Sequence, residues 1–590
     1  MKRYLYNFLA ALILLITVSS IVTAQAQSDE STTATRTGTI SGQAVSDSGQ
    51  PMANVLVSVR AYGAGGQGRT TTTESDGTFQ ISSLDPVAYM VAASLPGYVQ
   101  APRDPDANPN AYYHVGDSIR LEMIKGGVIT GTVTRSAGDP VVAVPVRAYL
   151  IRDSAGRPPR YGAPFREQTT DDRGVYRVYG LSMGTYVISA GGGNPSSYFV
   201  SAYGTDAPTY APSSTRDTAA EVFVRAGEEI ANVDIRYRGE PGHVVSGTAN
   251  TNVVGDQPQG LSITLVSTFN GVSQPSYQSF QPAGRGFSVS GVADGDYDLI
   301  AQAYFPGGGE WVVSDPRRIR VKGADLTGIE LTAKPLGSIT GRVALEESKS
   351  PDCKGKRRPL FREMVVSSWH NEKNAAPDQP AFMWGLGVPV LPDQQGDFHL
   401  RNLAPGQYRF NVPLTAKYWY LKSISWPSPV IPAAKAPPAS RPFDAARNWT
   451  TLKPGDRLSG MIITMAEGAA SLRGQIDLAE GQRLPPKLFA YLAPAEREKA
   501  DDVLRFFAAL VSADGSFALN NLPPGRYWVV AQAASESDTN VLSKLRLPDE
   551  AEARAKLLHD AEAAKIETEL KPCQNVTDYR LPLKPAGPGQ

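Results

Sequence analysis

Apolar and polar residues alternate along this chain in short stretches. Val55, Val57 and Val59 share one face of an extended segment, the period of two that marks a strand buried on one side. Turn residues interrupt such stretches roughly every ten positions, which predicts short strands packed as antiparallel sandwiches.

One pattern then returns at a period of roughly 90 to 130 residues, long enough for a whole sandwich in each copy. Every copy opens on a short strand holding a glycine: Ile40-Ser41-Gly42, Ile129-Thr130-Gly131, Val245-Ser246-Gly247, Ile339-Thr340-Gly341 and Leu472-Arg473-Gly474. A glycine inside a strand points to a bulge or a close backbone approach. A turn glycine with an aromatic two places on follows: Gly77 and Phe79, Gly174 and Tyr176, Gly396 and Phe398, Gly515 and Phe517; Gly286 and Phe287 depart by one place. Glycine takes the strained backbone of a tight turn, and the aromatic starts the next strand pointing into the core.

A second turn leads to a tyrosine, at Gly184 and Tyr186, Gly295 and Tyr297, Gly406 and Tyr408, and Gly525 and Tyr527. Where proline precedes the glycine, the pair fits the centre of a type II turn. The first copy reads Pro86-Val87-Ala88-Tyr89, and because valine resists positive φ a type I turn is expected there. Closing strands follow, such as Ile119 to Met123 and Ile329 to Thr332.

The predicted fold is therefore all-β, a tandem array of about five antiparallel Greek-key β-sandwich modules at 27–125, 126–241, 242–335, 336–468 and 469–590. Apolar residues near helical spacing place a short helix at about 549–570, capping the end of the array. Asn194 to Ser214, rich in Gly, Pro, Ser and Tyr, and Pro427 to Pro442 read as long loops that pack no core.

Taken together, the opening glycine strand, the "DG-x-F" turn, the "L-x-PG-x-Y" turn and the closing strand resemble the carboxypeptidase regulatory-like domain. That resemblance implies a transthyretin-like sandwich and covers nearly all of the chain after the leader. Tyr420-Leu421-Lys422-Ser423-Ile424 also looks like a segment of bacterial secreted members of this group. No catalytic residue carries over, because the catalytic domain of such carboxypeptidases has no counterpart here.

At the N-terminus, Lys2 and Arg3 precede an apolar run from Phe8 to Val18, and Ala24-Gln25-Ala26 offers a small-residue cleavage site. Residues 1–26 read as a secretory signal peptide; a membrane anchor needs about 20 apolar residues. The rest is expected to have no transmembrane span and to be secreted, periplasmic or cell-surface. Lys plus Arg and Asp plus Glu both number 58, so no field of one sign draws the chain to nucleic acid. The two cysteines, Cys353 and Cys573, exclude a disulfide framework. In an oxidising compartment they are able to pair and tie the fourth module to the fifth; the sequence leaves that pairing open.

Letter matches to active-site motifs fail on their surroundings. Gly180-Leu181-Ser182-Met183-Gly184 fits a nucleophile elbow but occupies the repeat's ordinary tyrosine turn. Gly63-Ala64-Gly65-Gly66-Gln67-Gly68 leads into a strand-like threonine run, so no helix N-terminus meets a pyrophosphate. The histidines, His114, His243, His370, His399 and His559, show no ligand spacing. Asp104, Asp106, Asn108 and Asn110 alternate as calcium ligands do, but prolines interrupt them. No cofactor or metal site is expected.

The fourth copy holds five of the seven tryptophans: Trp369, Trp384, Trp419, Trp426 and Trp449. Buried, they are core; exposed, they stack on sugar faces or anchor a protein. Trp384, Trp426 and Trp419 are the candidate ligand contacts. The functional expectation is a non-enzymatic structural or binding protein, an extended rod displaying loops to an unidentified protein or glycan of the cell envelope or extracellular space. Carbohydrate binding through exposed aromatics, service to a separately encoded hydrolase or surface complex, and an active site formed between modules are the alternatives.

Overall fold

The computed structural model describes residues 37–583 apart from 64–67, 102–111, 160–164, 194–200, 252–259, 270–271, 282–284, 306–310, 372–386, 415, 427–441 and 535–540. The leader, the Asp104 to Asn110 loop, most of the Gly63 to Gly68 loop, Trp384 and nearly all of the proline-rich stretch lie outside the described residues.

Alternation resolves into two facing sheets per repeat, except in the third, where the short strand Val312–Ser314 pairs on both sides and joins all the strands into one eight-stranded sheet. In the first, Gly38–Ser46, Thr78–Leu84, Tyr98–Gln100 and Ser118–Lys125 face Leu56–Ala61, Arg69–Thr72, Tyr89–Ser94 and Tyr112–Tyr113. Val55, Val57 and Val59 are buried there, and Leu56 is exposed. Separate cores holding Val178, Leu299, Trp419 and Leu519 follow in the later repeats. Each large apolar side chain so buried contributes about 1.5–3 kcal/mol. The chain is all-β, a tandem array of β-sandwiches.

One neighbour relation departs from antiparallel pairing. In every repeat the opening strand runs parallel to the closing one, as Gly42 beside Ile119 and Ile476 beside Leu581 illustrate. On its other edge the opening strand is antiparallel to the strand after the turn. There each opening glycine stands opposite the repeat's aromatic: Gly42 opposite Phe79, Gly131 opposite Tyr176, Gly247 opposite Phe287, Gly341 opposite Phe398 and Gly474 opposite Phe517. A Cβ on Gly42 would stand 2.0 Å from the Ile119 carbonyl oxygen and 2.8 Å from the Phe79 ring.

The tyrosine turns also have one geometry. The Tyr89, Tyr186, Tyr297, Tyr408 and Tyr527 hydroxyls each donate to the carbonyl four residues earlier, at 2.7–3.0 Å. The expected type II turns do not form. Gly406 and Gly525 have φ of +147° and +144°, far from the +80° or so of that turn. Close approach selects the glycine instead, since a Cβ on Gly406 would stand 2.1 Å from His370 Nε2. In the first copy the Val87 N–H donates to the Asp85 carbonyl, a three-residue turn rather than type I. Gly286 and Gly295 begin strands and have no positive φ; the shifted spacing of that copy puts Gly286 past its turn.

A bulge unforeseen from the sequence closes each middle strand. Ser83, Gly180, Gly291, Asn402 and Asn521 all adopt left-handed φ between 55° and 75°, and the register slips beside each. From the second repeat on, this bulge abuts the preceding sandwich. Gly180 lies against the linker residue Gly126, and Gly291 against the Gly204 carbonyl. The Trp311 N–H donates to Asn402 Oδ1 at 2.9 Å. Asn521 Nδ2 donates to the Ala416 and Trp419 carbonyls at 2.9 and 2.8 Å.

The helix lies within the expected span and is shorter than expected. It spans Ala551–Ala564 after a short turn of helix at Val541–Leu545, and Glu567–Leu570 is a strand paired with Gly525–Ala533. Lys565, at φ +55°, ends it. With Phe489, Tyr491 and Phe506 it covers the outer face of a sheet. Asp549, just before it, accepts a hydrogen bond from Trp449 Nε1 of the fourth sandwich, so it borders that neighbour rather than capping a free end. Across the same junction Cys353 and Cys573 form a disulfide, with Cα atoms 5.3 Å apart.

The extended rod is corrected by a contact between the first and fourth sandwiches. Tyr62, Ala88 and Tyr112 pack with Val365 and Leu391 in one apolar cluster. The Tyr62 hydroxyl donates to the Pro389 carbonyl, the Ala88 N–H to the Arg362 carbonyl, and His114 Nε2 lies 2.9 Å from the Glu363 carbonyl oxygen. Apolar residues on an outer face need a cover, and the fourth sandwich supplies it.

Candidate binding cleft

The Tyr-rich segment of the second repeat does more than loop. Thr209–Tyr210 adds a short strand beside Ser189 and Ala190, and Ala211 enters the core of the sandwich. Tyr203 donates to the Val142 carbonyl, and the Tyr237 hydroxyl to Asp206 Oδ2. The expectation that this segment packs no core is therefore corrected: its tyrosines and alanines carry enough apolar surface to be buried.

Held in this way, the segment walls a cleft of about 390 Å³ against the third sandwich. Tyr149, Tyr210 and Tyr277 form its floor, each nine-tenths or more buried. Burial pushes all three phenols above the ordinary tyrosine range. Arg147, also in the lining, is almost wholly buried; it binds Glu167 Oε2 at 2.6 Å and the Gly191 and Gly192 carbonyls.

The rim is charged, and several of its charges are paired. Arg238 meets Glu240, Arg318 meets Asp298 at 2.8 Å, and Arg320 meets Asp296 at 2.6 Å. The hydrogen bond from Arg320 holds the Asp296 carboxyl below its usual range. His243 Nε2 lies 3.1 Å from Asp294 Oδ1. A histidine beside a carboxylate is two-thirds of a nucleophilic triad, but among the described residues no hydroxyl or thiol is hydrogen-bonded to His243. Nor do the described residues place three or more metal-binding side chains together.

The tryptophan candidates fare differently. Trp419 is fully buried in the fourth core, so it is not a ligand contact; its alternating neighbours Leu421 and Ile424 share that core. Trp426 packs between Phe410 and Phe443, and its Nε1 donates to the Ser459 carbonyl. Trp369 lies under the Arg409 guanidinium, 5.2 Å from its ring centre. Sequence reading missed the tyrosine floor. Its one signal was the density of Tyr in the inserted segment, because residues from two repeats meet only after folding.

Residues 39–114 match the family described as the carboxypeptidase regulatory-like domain. No curated protein matches the chain. Among solved structures, the Bacillus anthracis TIE protein is 11% identical, over 78% of this chain and 75% of that one, with a TM-score of 0.15. A streptococcal ancillary pilin is 11% identical over 51% of this chain and 100% of its own, at TM-score 0.16. The minor pilin GBS52 of Streptococcus agalactiae is 13% identical over 34% and 95%, at TM-score 0.18. At such scores they bear on neither arrangement nor function. Among the described residues no helix is long and apolar enough to cross a membrane.

Proposed function

We propose that this chain is a non-enzymatic exported structural or binding protein, its sandwiches held in a fixed arrangement that presents surfaces to a partner of the cell envelope or extracellular space. The observation that carries this reading is the recurring joint. In each successive repeat the left-handed bulge meets the preceding sandwich, at Gly180, Gly291, Asn402 and Asn521. Asparagine side chains that clamp one sandwich to the next suit a chain built to hold a surface in place. The Cys353–Cys573 bridge supports export, because such bonds persist in oxidising compartments.

Fractionation of the source cells with intact-mass analysis tests this. The expected result is a chain outside the cytoplasm that lacks the leader up to Ala26 and retains the bridge. A full-length, reduced chain in the cytoplasm would contradict the proposal.

A further inference from the structure

We propose that the joint between the fourth and fifth sandwiches holds a divalent oxyanion, phosphate or sulfate, between the guanidiniums of Arg409 and Arg546. Arg409 lies in the strand Gly406–Leu414 opposite Trp369, whose ring centre is 5.2 Å from the guanidinium. Its neighbours Tyr408 and Phe410 enter the core, so Arg409 points outward. Arg546 follows the short helix Val541–Leu545 of the fifth sandwich. Its guanidinium is 4.9 Å from the Phe507 ring centre, and its Nε donates to the Phe506 carbonyl at 3.4 Å. Both arginines are half-buried, and they are close enough that the charge of Arg409 disfavours that of Arg546.

Among the described residues no carboxylate forms an ion pair with either guanidinium. Asp502, the carboxylate whose field reaches Arg546, is already held by Arg505 at 3.6 Å and by the Leu504 N–H. Burial pushes both guanidiniums down to about 10, and for Arg546 the charge of Arg409 adds to it. At neutral pH both stay charged. The joint therefore withdraws two positive charges from water, which is costly unless a counter-charge completes it. A carboxylate or chloride balances only one of them, whereas a dianion balances both. Guanidinium forks match the oxygens of phosphate and sulfate with paired N–H donors, and an aromatic ring against the guanidinium face leaves the N–H edge available. A free ion and a phosphomonoester carried by a partner present this same chemistry.

Titration calorimetry tests the proposal on the leaderless chain, dialysed free of oxyanions into low-salt buffer and titrated with inorganic phosphate, sulfate, glycerol phosphate, acetate or chloride. Saturable binding of phosphate and sulfate is expected, and none of acetate or chloride. Arg409→Met and Arg546→Met should each weaken phosphate about tenfold, the loss of one charged hydrogen bond. Arg238→Met, in the cleft between the second and third sandwiches, should leave phosphate binding unchanged. Arg409→Lys keeps the charge without the fork and should weaken phosphate severalfold, which decides the matter where a methionine variant does not fold. Glycerol phosphate bound as tightly as phosphate marks a site open to a partner's ester, and its exclusion marks a resident ion; both agree with the proposal. No saturable phosphate binding, equal binding of acetate, or an affinity unchanged in the Arg409 and Arg546 variants would overturn it.

Discussion

Gly42 faces Phe79 across the first sheet, and the phenylalanine ring fills the space a side chain at 42 would need. On the other edge the Ile119 carbonyl closes in to 2.0 Å from where a Cβ would sit. Two features that look separate along the chain, a strand glycine and an aromatic after a turn, are thus one cross-strand unit. Gly42→Val should destabilise the first sandwich by about 1–3 kcal/mol, the usual cost of overpacking. Calorimetry of the whole chain checks this through a lowered first transition. An unchanged thermogram would show that the sheet yields freely at this position.

Asn521 does two things at once: it takes the left-handed bulge and clamps the fourth sandwich through the Ala416 and Trp419 carbonyls. Asn521→Gly keeps the backbone free to turn and removes only the clamp. It should cost about 1–2 kcal/mol, from two net hydrogen bonds, and separate the unfolding of the fourth and fifth sandwiches. Asn521→Ala adds backbone strain and should cost about 1 kcal/mol more. If the two variants unfold alike, the side chain matters and the left-handed backbone does not.

These two units mark what was legible beforehand and what was not. Periodicity and turn glycines foretold the sandwiches, because burial on one face imposes an alternation visible in any strand such as Val55 to Val59. Strand direction left no such mark, so the parallel pairing of Gly42 with Ile119 was invisible. Asn402 and Asn521 carry no mark of their role in the sequence, since a polar side chain reaching a neighbouring sandwich has the same local sequence as one reaching water. Tyr62, Ala88 and Tyr112 were equally silent, because their cover, Val365 and Leu391, comes from another repeat. The cleft floor escaped for the same reason: Tyr149 and Tyr210 belong to one repeat and Tyr277 to the next.

Tyrosine burial sets an alkaline limit. Desolvation is the leading cause that raises the phenols of Tyr62, Tyr89, Tyr186, Tyr297, Tyr408 and Tyr527 above their ordinary value. In the unfolded chain they ionise near pH 10 or so. Below that value both states hold the proton and stability is fully present; above it only the unfolded state releases protons, so stability falls as pH rises. Urea midpoints should therefore be level from about pH 7 to 9 and drop above about 10. Tyrosinate absorbance that rises near pH 10 while the fold persists would show these phenols to be accessible.

The account centres on a first sandwich docked against the fourth, and the Ala88 amide reports on it directly. Its hydrogen-bond acceptor is the Arg362 carbonyl, at 3.1 Å in the fourth sandwich. Hydrogen exchange read at single-residue resolution on the leaderless chain should find the Ala88 amide protected, and the Tyr62→Ala variant should lose that protection while the Val57 and Val91 amides keep theirs. An Ala88 amide that exchanges in the unmodified protein as fast as an open loop would mean that the sandwiches are strung out singly and that the fixed arrangement does not exist.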